Sequence, residues 1–409
     1  MLMSKNIWIL NHYTRTPDMV GGTRHYDLAK ELIKKNYNVI IFASGFEHKL
    51  RKYIKIDKGK MTKTEKYNGV CFVWINTFPY YYNNWRRILN IISYTIRILS
   101  ISRKFEKPDV IIGSSPHPFA AFAAAKLARK LKAKFFLEIR DLWPQVIVDM
   151  GKLNRYHPII QAMRLLEKYL YRVADKIIVL AEGSKNYLIE NRGIKDSKIL
   201  YLSNGVDLNN FSCQKDRDVL RKLYNFTKFT LIYTGAHGPA NSLDTILRAA
   251  DRLRENKNIE IILVGSGILK ERLLRQAKEM KLNNVRFFDP VPKTEIPGIL
   301  SAADAAIITL KKVKVFSYGV SPNKLFDYMA ARKPIICAVE GEIAEKVENI
   351  GCGISVIPEN EKSMADAIIH LINLPQDKLK KMGDNGYEEI KKNYSHEKLA
   401  QKLIGLIEK

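Results

Sequence analysis

The sequence predicts an α/β protein with two parallel-sheet domains, and three observations lead there. Short β-branched runs alternate with helical stretches of about 10 to 18 residues, the pattern of βαβ units whose sheets are covered on both faces. Glycine-bearing turns directly follow several of these runs. The chain has 409 residues, 46% of them apolar. That is too long for one ordinary core and enough to fill two of roughly 200 residues each. The alternation excludes all-β and helical-bundle folds.

The first strand is expected at Asn6–Leu10. The apolar part of the start, MLMSKNIWILN, is too short for the core of a signal segment. A loop ending in Gly21-Gly22-Thr23 then leads into a helix from Arg24 to Lys35. Paired glycines let the backbone approach a ligand, and a helix start favours an anion. Gly21 and Gly22 are therefore candidates for a ligand-facing loop, with an ordinary turn as the alternative. Strands follow at Asn38–Ala43, Val70–Asn76, Val110–Gly113, Lys134–Ile139, Lys176–Leu180 and Ile199–Leu202. Open parallel sheets bind ligands at the carboxyl ends of their strands. His117 (between two prolines), Arg140 and Glu182 follow such ends and are candidates there, with a plain loop role as the alternative for His117 and an ion pair with Asp141 for Arg140.

The second set of strands is expected at Thr230–Thr234, Glu260–Val264, Val285–Phe288, Ala305–Leu310 and Pro334–Ala338. Its first strand ends in Gly235. Its second runs into Gly265-Ser266-Gly267, but Lys270 stands where a dinucleotide fingerprint needs a third glycine. A nicotinamide fingerprint is not supported; a phosphate turn and a packing turn both remain open. In the segment Ser317 to Ala331, Ser321-Pro322 is expected to cap a helix with proline in its first position. Lys324 and Asp327, three apart, share a face of its first turns. A helix start plus a lysine suits a diphosphate, and an aspartate one turn on suits ribose hydroxyls. A surface ion pair on a capped helix is the alternative. Asp216-Arg217-Asp218 imitates a metal-binding Asp-x-Asp, but no strand runs into it, so it reads as helix-start charge. Cys71, Cys213, Cys337 and Cys352 are far apart and read as reduced thiols without a zinc site. The stretch from Ser395 to Lys409 reads as a short amphipathic helix with Leu399, Leu403, Leu406 and Ile407 on one side.

Four pieces together, Ser203-Asn204-Gly205-Val206-Asp207, Tyr233-Thr234-Gly235, Val264-Gly265-Ser266-Gly267 and Ser317 to Ala331, resemble glycosyltransferase family 4 in order and spacing over nearly the whole chain. Glu138-Ile139-Arg140-Asp141-Leu142-Trp143-Pro144 resembles a narrower branch that includes bacterial N-acetyl-fucosamine transferases of surface-polysaccharide synthesis. The resemblance implies the GT-B fold: two Rossmann-like domains facing a central cleft, with the last helix crossing back to the first domain. It implies an acceptor domain over 1–205, a nucleotide-sugar domain over 206–390 and a returning helix over 391–409. It further implies a retaining reaction on a UDP-sugar with no metal or other cofactor, because helix dipoles and basic side chains serve the diphosphate. The donor would meet Gly235, His237, Gly265, Gly267, Ser321, Asn323, Lys324 and Asp327. Of the two glutamates that the family often spaces eight apart, the second position is Asp327 and the first is Gly319, leaving any sugar contact there to the backbone. The Arg and Lys that many members carry after the first strand of the second domain are absent from Gly235-Ala236-His237-Gly238-Pro239-Ala240-Asn241. Where many relatives have a histidine after the fourth strand, this chain has Ser114, and Asp141 becomes the candidate polar group at the reaction centre, with a cap or an ion pair with Arg140 as the alternative. No base is evident, so the leaving diphosphate is expected to take the acceptor's proton on the same face of the sugar.

The net charge is +26. Residues 1–200 hold 36 basic and 16 acidic side chains, and residues 201–409 hold 32 and 26. The apolar content excludes a disordered polycation. No helix-turn-helix, zinc or RNP-like signature supports nucleic-acid binding. Residues 51–104 alone hold 12 basic and 2 acidic side chains. Within them Arg86, Asn90, Ser93, Arg97, Ser100 and Lys104 draw a polar stripe on a helix otherwise rich in isoleucine, preceded by the aromatic run from Phe78 to Trp85. This pattern suits a helix lying in an anionic membrane surface, through residues 78–105. The alternative is a core helix that shows only its polar stripe to water. No run of about 18 apolar residues spans a membrane. The expected partners are a UDP-sugar and a polyprenyl-diphosphate-linked saccharide at the inner face of the cytoplasmic membrane. The rival enzyme, a UDP-sugar 2-epimerase of the same fold, needs an acid–base cluster that the sequence does not display.

Overall fold

A computed structural model describes residues 5–19, 21–48, 50–57, 59–82, 85–212 and 215–408. Cys213, Lys58 and the Asn83-Asn84 pair of the aromatic run lie outside the described residues. The chain forms two compact units. The first comprises the residues up to Thr16, Gly22–Ser203 and Leu399–Lys409; the second comprises Pro17–Gly21 and Asn204–Lys398.

The strands of the first unit are β1 (Asn6–Leu10), β2 (Asn38–Ser44), β3 (Phe46–Glu47), β4 (Lys52–Tyr53), β5 (Thr62–Tyr67), β6 (Val70–Ile75), β7 (Val110–Ser114), β8 (Lys134–Ile139), β9 (Lys176–Val179) and β10 (Ile199–Tyr201). Eight of them form one sheet in the order β10-β9-β8-β7-β1-β2-β6-β5, while β3 and β4 pair separately. All neighbours in the large sheet are parallel except β5 and β6. Ile7, Trp8, Ile9 and Leu10 of the central strand are buried on both faces, as parallel strands under helices must be. On one face Ile7, Ile9, Ile41, Phe72 and Trp74 pack with Tyr26, Leu28 and Leu32 of the helix Arg24–Ile33. Leu399, Leu403 and Ile407 of the last helix, His396–Ile407, join that same cluster. Each such fully buried side chain contributes about 1.5–3 kcal/mol. Glu408 fixes the helix end by accepting from Lys5 Nζ at 2.9 Å and from the Tyr37 hydroxyl.

The second unit holds β11 (Phe229–Thr234), β12 (Ile259–Val264), β13 (Val285–Phe288), β14 (Ala305–Thr309), β15 (Ile335–Ala338) and β16 (Gly353–Ser355). They form one parallel sheet in the order β13-β12-β11-β14-β15-β16. Ile232, Ile262, Ile308 and Cys337 face one apolar cluster, and Leu231, Ile261, Ile307 and Ile336 face the other. Each strand expected from sequence forms with ends shifted by at most one residue.

The strands that sequence reasoning missed are β3, β4, β5 and β16. β5 reads TKTEKY, alternately half-buried and exposed, so it has no apolar run; as the sheet's edge strand it carries the charges that discourage edge pairing. Its signal was the turn: Asn68 and Gly69 both have positive φ, at 46° and 85°, and join β5 to β6 as a tight hairpin. β16 is a three-residue edge with no apolar run of its own.

Candidate active site

In the second unit the carboxyl end of β11 meets the helix Asn323–Ala330. Leu325, Phe326, Tyr328 and Met329 bury one side of this helix, and the Tyr328 hydroxyl accepts the Thr234 N–H at 2.8 Å, tying the helix to the strand end. Lys324 Nζ donates to the Tyr233 hydroxyl at 3.0 Å and to Asn241 Oδ1 at 3.2 Å. It also lies 4.2 Å from the Tyr233 ring centre. Burial pushes the Lys324 ammonium down to about 7. An arriving anion would restore its charge, because an opposite charge favours the ionised form.

One turn on, Asp327 is buried, and the ammonium of Lys293 is bonded to its carboxylate. Lys293 is an ion-pair partner of Asp327 that sequence reasoning did not find: it is a lone lysine in the loop after β13 and carries no motif. The expected Ser321-Pro322 cap needs correction. Pro322 stands at the N-cap position with no side-chain cap bond, and the helix begins at Asn323, which is half-buried. The Ser321 hydroxyl instead accepts the Asn204 N–H at 3.0 Å, and the Ser321 carbonyl accepts Asn204 Nδ2 at 2.5 Å. Asn204 thus binds the start of the unit to this loop, which gives Ser203-Asn204-Gly205 a structural meaning. Gly319, at φ +101°, donates its N–H to the Phe316 carbonyl at 3.2 Å and stands four residues before Asn323.

The turn Gly265-Ser266-Gly267 packs against the stretch Gly235 to His237. A Cβ on Gly265 would lie 1.9 Å from the Gly235 carbonyl oxygen, and one on Gly267 would lie 2.3 Å from that of His237. What demands glycine at both positions is the close passage of the chain's own backbone. His237 is fully buried, and among the described residues neither ring nitrogen has a hydrogen-bond partner. Burial, with Lys270 and Lys324 nearby, pushes it down to about 4, so it is neutral near pH 7. Gly235 is close beneath Lys324: a Cβ there would stand 3.1 Å from Lys324 Cε. The structure therefore brings together Gly235, His237, Gly265, Gly267, Lys324 and Asp327, with Tyr233, Asn241 and Lys293 added.

The first unit gathers a second group of side chains at the carboxyl ends of its strands. β7 and β1 are neighbours, so the loops after them converge: His117 Nε2 and His12 Nδ1 are 3.0 Å apart and both residues are buried. Burial, with the Arg87 charge, pushes His117 down to about 3, and burial with His117 and other charges lowers His12. Tyr13 stacks within 4.4 Å of His12 and 5.2 Å of His48, between ring centres, and the Tyr80 hydroxyl reaches His48 Nδ1. Ser114 ends β7 and is fully buried, with no hydrogen-bond partner for its hydroxyl among the described residues. His12, Tyr13 and His48 were not singled out from sequence, although each follows a strand end as His117 does.

The start of the helix Arg24–Ile33, after Gly21 and Gly22, is occupied by an internal network. Arg24 Nε donates to Glu138 Oε1 at 2.9 Å and Arg24 NH2 to the Leu202 carbonyl at 2.8 Å. His25 Nε2 is 2.7 Å from Glu138 Oε2, and Asn11 Nδ2 is 2.8 Å from His25 Nδ1. The amide must donate to Nδ1, so Nε2 carries the proton and donates to the carboxylate; burial keeps this imidazole neutral. Burial opposes the ionisation of Glu138, but His25 and Arg24 hold its carboxyl well below 4.5. Glu138 is thus the buried anchor of the Glu138-to-Pro144 segment. Arg140 is half-buried, with its N–H 3.4 Å from Ser115 Oγ, and Asp141 is exposed; among the described residues the two form no ion pair. Glu182 is exposed in the first turn of the helix Glu182–Arg192. Asp216 caps the helix Arg217–Tyr224 through the N–H of Asp218 at 2.8 Å, the helix-start role expected for Asp216-Arg217-Asp218.

The helix Trp85–Ile101 buries the middle of its polar stripe and exposes part of its isoleucine face. Asn90, Tyr94, Ile98 and Ile101 are buried, with Asn90 Nδ2 donating to Thr77 Oγ1 and the Phe78 carbonyl and Arg97 bonded to Asn76. Ser93 Oγ accepts the Phe78 N–H. Trp85, Ile88, Ile92 and Ile96 face solvent, beside exposed Phe78, Tyr81 and Tyr82. The lead-in segment takes up Asn90, Ser93 and Arg97, while Arg86, Ser100 and Lys104 of the stripe stay exposed, and the outward isoleucines show that the helix presents more than its polar stripe to its surroundings.

Two family models match the chain: Glycosyltransferase Family 4 over residues 21–210 and Glycosyl transferases group 1 over residues 216–389. WcaI of Escherichia coli strain K12, a protein named for colanic acid biosynthesis and glycosyl transfer, is 25% identical over 71% of this chain and 73% of its own. N-acetylgalactosamine-N,N'-diacetylbacillosaminyl-diphospho-undecaprenol 4-alpha-N-acetylgalactosaminyltransferase of Campylobacter jejuni is 25% identical over 68% of this chain and 72% of its own. The crystal structure of Anabaena HepE in complex with UDP-glucose superposes with a TM-score of 0.72 at 15% identity, covering 99% of both chains. With both of its units matched by glycosyltransferase models and the Rossmann-like architecture of each unit described, the chain belongs to the family 4 glycosyltransferases of the GT-B fold.

Proposed function

We propose that this glycosyltransferase moves an N-acetylated hexosamine or 6-deoxyhexosamine from a UDP-sugar to a polyprenyl-diphosphate-linked saccharide, in capsule, O-antigen or related surface-glycan synthesis. The observation that carries the donor half is Lys324, a half-buried lysine held over Tyr233 at the start of the helix Asn323–Ala330, where helix N–H groups and a cation converge. Lys324, the backbone around Gly235 and the neutral His237 hold the diphosphate, and Asp327, oriented by Lys293, accepts from the ribose. Asn323 and Ser321 shape the loop beside it, and Gly319 offers backbone to the sugar.

The reaction retains configuration without a metal. The leaving diphosphate takes the acceptor's proton on the face it departs from, and Lys324 offsets the charge that develops on it. Ser114, His117 and Asp141, with Arg140 and Glu182, serve the acceptor side. HepE in its UDP-glucose complex supports the nucleotide, and the Campylobacter enzyme, named for a diphospho-undecaprenol acceptor, supports the lipid carrier. The N-acetyl-fucosamine transferases resembled by Glu138 to Pro144 supply the sugar class. The outward Trp85, Ile88, Ile92 and Ile96 with the adjoining tyrosines suit the surface of the membrane that carries such a lipid, which makes the protein peripheral on its cytoplasmic face.

The test is a thermal-shift screen of UDP-, GDP- and dTDP-sugars, followed by transfer to a lipid-linked acceptor by the wild type, Lys324→Ala and Asp327→Ala. UDP-sugars should raise Tm most, and both variants should lose transfer. Normal donor affinity in both variants overturns the site, and epimer formation from the UDP-sugar alone overturns the reaction.

A further inference from the structure

A groove far along the first unit is lined by Arg164, Lys168, Arg172, Arg192, Lys195 and Lys198 and encloses a cavity of ≈ 940 Å³. It lies between the helix Pro158–Val173 and the turn that follows the helix Glu182–Arg192. Arg172 precedes β9, and Lys195 and Lys198 precede β10, so the groove sits at the amino ends of these strands. The candidate reaction residues sit at the carboxyl ends.

The charge in the groove is only partly neutralised from within. Glu167 is the one carboxylate in its lining, and it already accepts from the Tyr171 hydroxyl at 2.8 Å and from Arg192 Nε at 3.4 Å. Among the described residues Arg164, Lys168, Arg172 and Lys195 have no ion pair, and Arg164 Nε is buried without a hydrogen-bond partner. Arg164, Lys168 and Arg172 recur every four residues, which stacks three like charges on one helix face about 6 Å apart, an arrangement that destabilises a bare helix. Basic residues near a helix end complement its dipole. That explains Arg172 and Arg192, which lie in last turns, but not Arg164 or Lys168 further back.

We propose that this groove binds phosphodiester groups, supplied by the headgroups of anionic lipids. Six guanidinium and ammonium groups converging on a single lining carboxylate leave an excess of positive charge that selects phosphate oxygens. The lipid source follows from the rim: Leu165 lines the groove and is 72% exposed, Ile159 is exposed on the same helix, and Tyr156 is 73% exposed just before it. Exposed aliphatic and tyrosine side chains among basic ones are the makeup of a membrane-surface contact. The helices Trp85–Ile101, Pro118–Leu131 and Pro158–Val173 pack side by side in sequence order, so the groove and the exposed isoleucine stripe belong to one helical layer. The lipid as source rests on the membrane reading above; the phosphate site does not.

The test uses the full chain and the triple variant Arg164→Gln, Lys168→Gln, Arg172→Gln, with Tm and UDP titration checking that the variant is folded. On vesicles of equal parts phosphatidylglycerol and phosphatidylcholine, the variant's partition should fall at least about tenfold, with no change on pure phosphatidylcholine. Soluble glycerophosphoglycerol should compete with the vesicles for the wild type. Unchanged partition onto the anionic vesicles overturns the proposal. Loss of glycerophosphoglycerol binding with vesicle partition intact assigns the groove to a free phosphate anion and overturns the lipid source. A DNA duplex bound through the same three residues, without vesicle binding, overturns it in favour of nucleic acid. A second triple variant, Ile88→Ser, Ile92→Ser, Ile96→Ser, separates the two membrane readings: wild-type partition there, with loss in the groove variant, removes the helix Trp85–Ile101 from the account and leaves the groove.

Discussion

Lys324 Nζ lies 4.2 Å from the centre of the Tyr233 ring and 3.0 Å from its hydroxyl, so a strand end and a helix start meet through a cation held on an aromatic face. The lysine is oriented before any ligand arrives. Lys324→Ala should weaken UDP binding by about 10- to 100-fold, the loss of a hydrogen bond from a charged donor, while Tm stays near that of the wild type. Isothermal titration checks the first and a thermal melt the second.

The same lysine sets a pH dependence. Burial pushes it down to about 7, and a bound diphosphate raises it by stabilising the ammonium. Binding therefore takes up a proton above that pH, and affinity falls as pH rises, by up to about tenfold per unit. Titrations in buffers of different ionisation enthalpy should register the uptake, and Lys324→Gln should abolish it.

Gly265→Ala and Gly267→Ala should each destabilise the second unit by roughly 1–3 kcal/mol or more, because the new methyl would meet backbone oxygens at 1.9 and 2.3 Å. Gly238→Ala is the contrast. Its φ is −119°, and the nearest atom to a new Cβ is Asn241 Nδ2 at 3.9 Å, so it should be tolerated. Chemical denaturation of the three variants side by side decides this.

Sequence and structure part company for identifiable reasons. The sheet strands carried their own signal because each central one is apolar on both faces, as in Ile7 to Leu10 and Ile259 to Val264. β5 was illegible as a strand because an edge needs no apolar run, though Asn68-Gly69 announced its hairpin. Lys324 and Asp327 were legible because both lie within two turns of one helix. Lys293 and the cluster of His12, Tyr13 and His48 were not, because loops from separate strands assemble them. The helix Trp85–Ile101 left two readings open for a different reason. Periodicity separates two faces of a helix but does not say which turns inward; that was decided by Thr77 and Phe78, which use up Asn90.

Glu138→Ala should lower the unfolding free energy by about 3–5 kcal/mol, since it leaves the Arg24 guanidinium buried without its counter-charge. The folded carboxyl is held well below its ordinary 4.5. Its contribution is therefore fully present above that pH and is lost only as pH falls through the depressed value. Urea midpoints across the acid range should show the wild type losing this increment while the variant, which lacks it, does not.

The His12–His117 pair should stay neutral from mildly acid to alkaline pH, because burial and Arg87 push His117 down to about 3. A transfer profile should then show no histidine titration near 6.5 from this pair, and His117→Gln should leave the shape of the profile unchanged while lowering its height. Kinetics across pH test both statements.

In the proposed reaction the start of the helix Asn323–Ala330, with Lys324 and Asp327, holds the nucleoside diphosphate of the sugar donor. The most direct measurement is UDP titration of the wild type, Lys324→Ala and Asp327→Ala under identical conditions. This assignment requires saturable UDP binding that weakens in both variants, with Tm retained. Undiminished binding in the two variants, or no binding of UDP by the wild type, would contradict it.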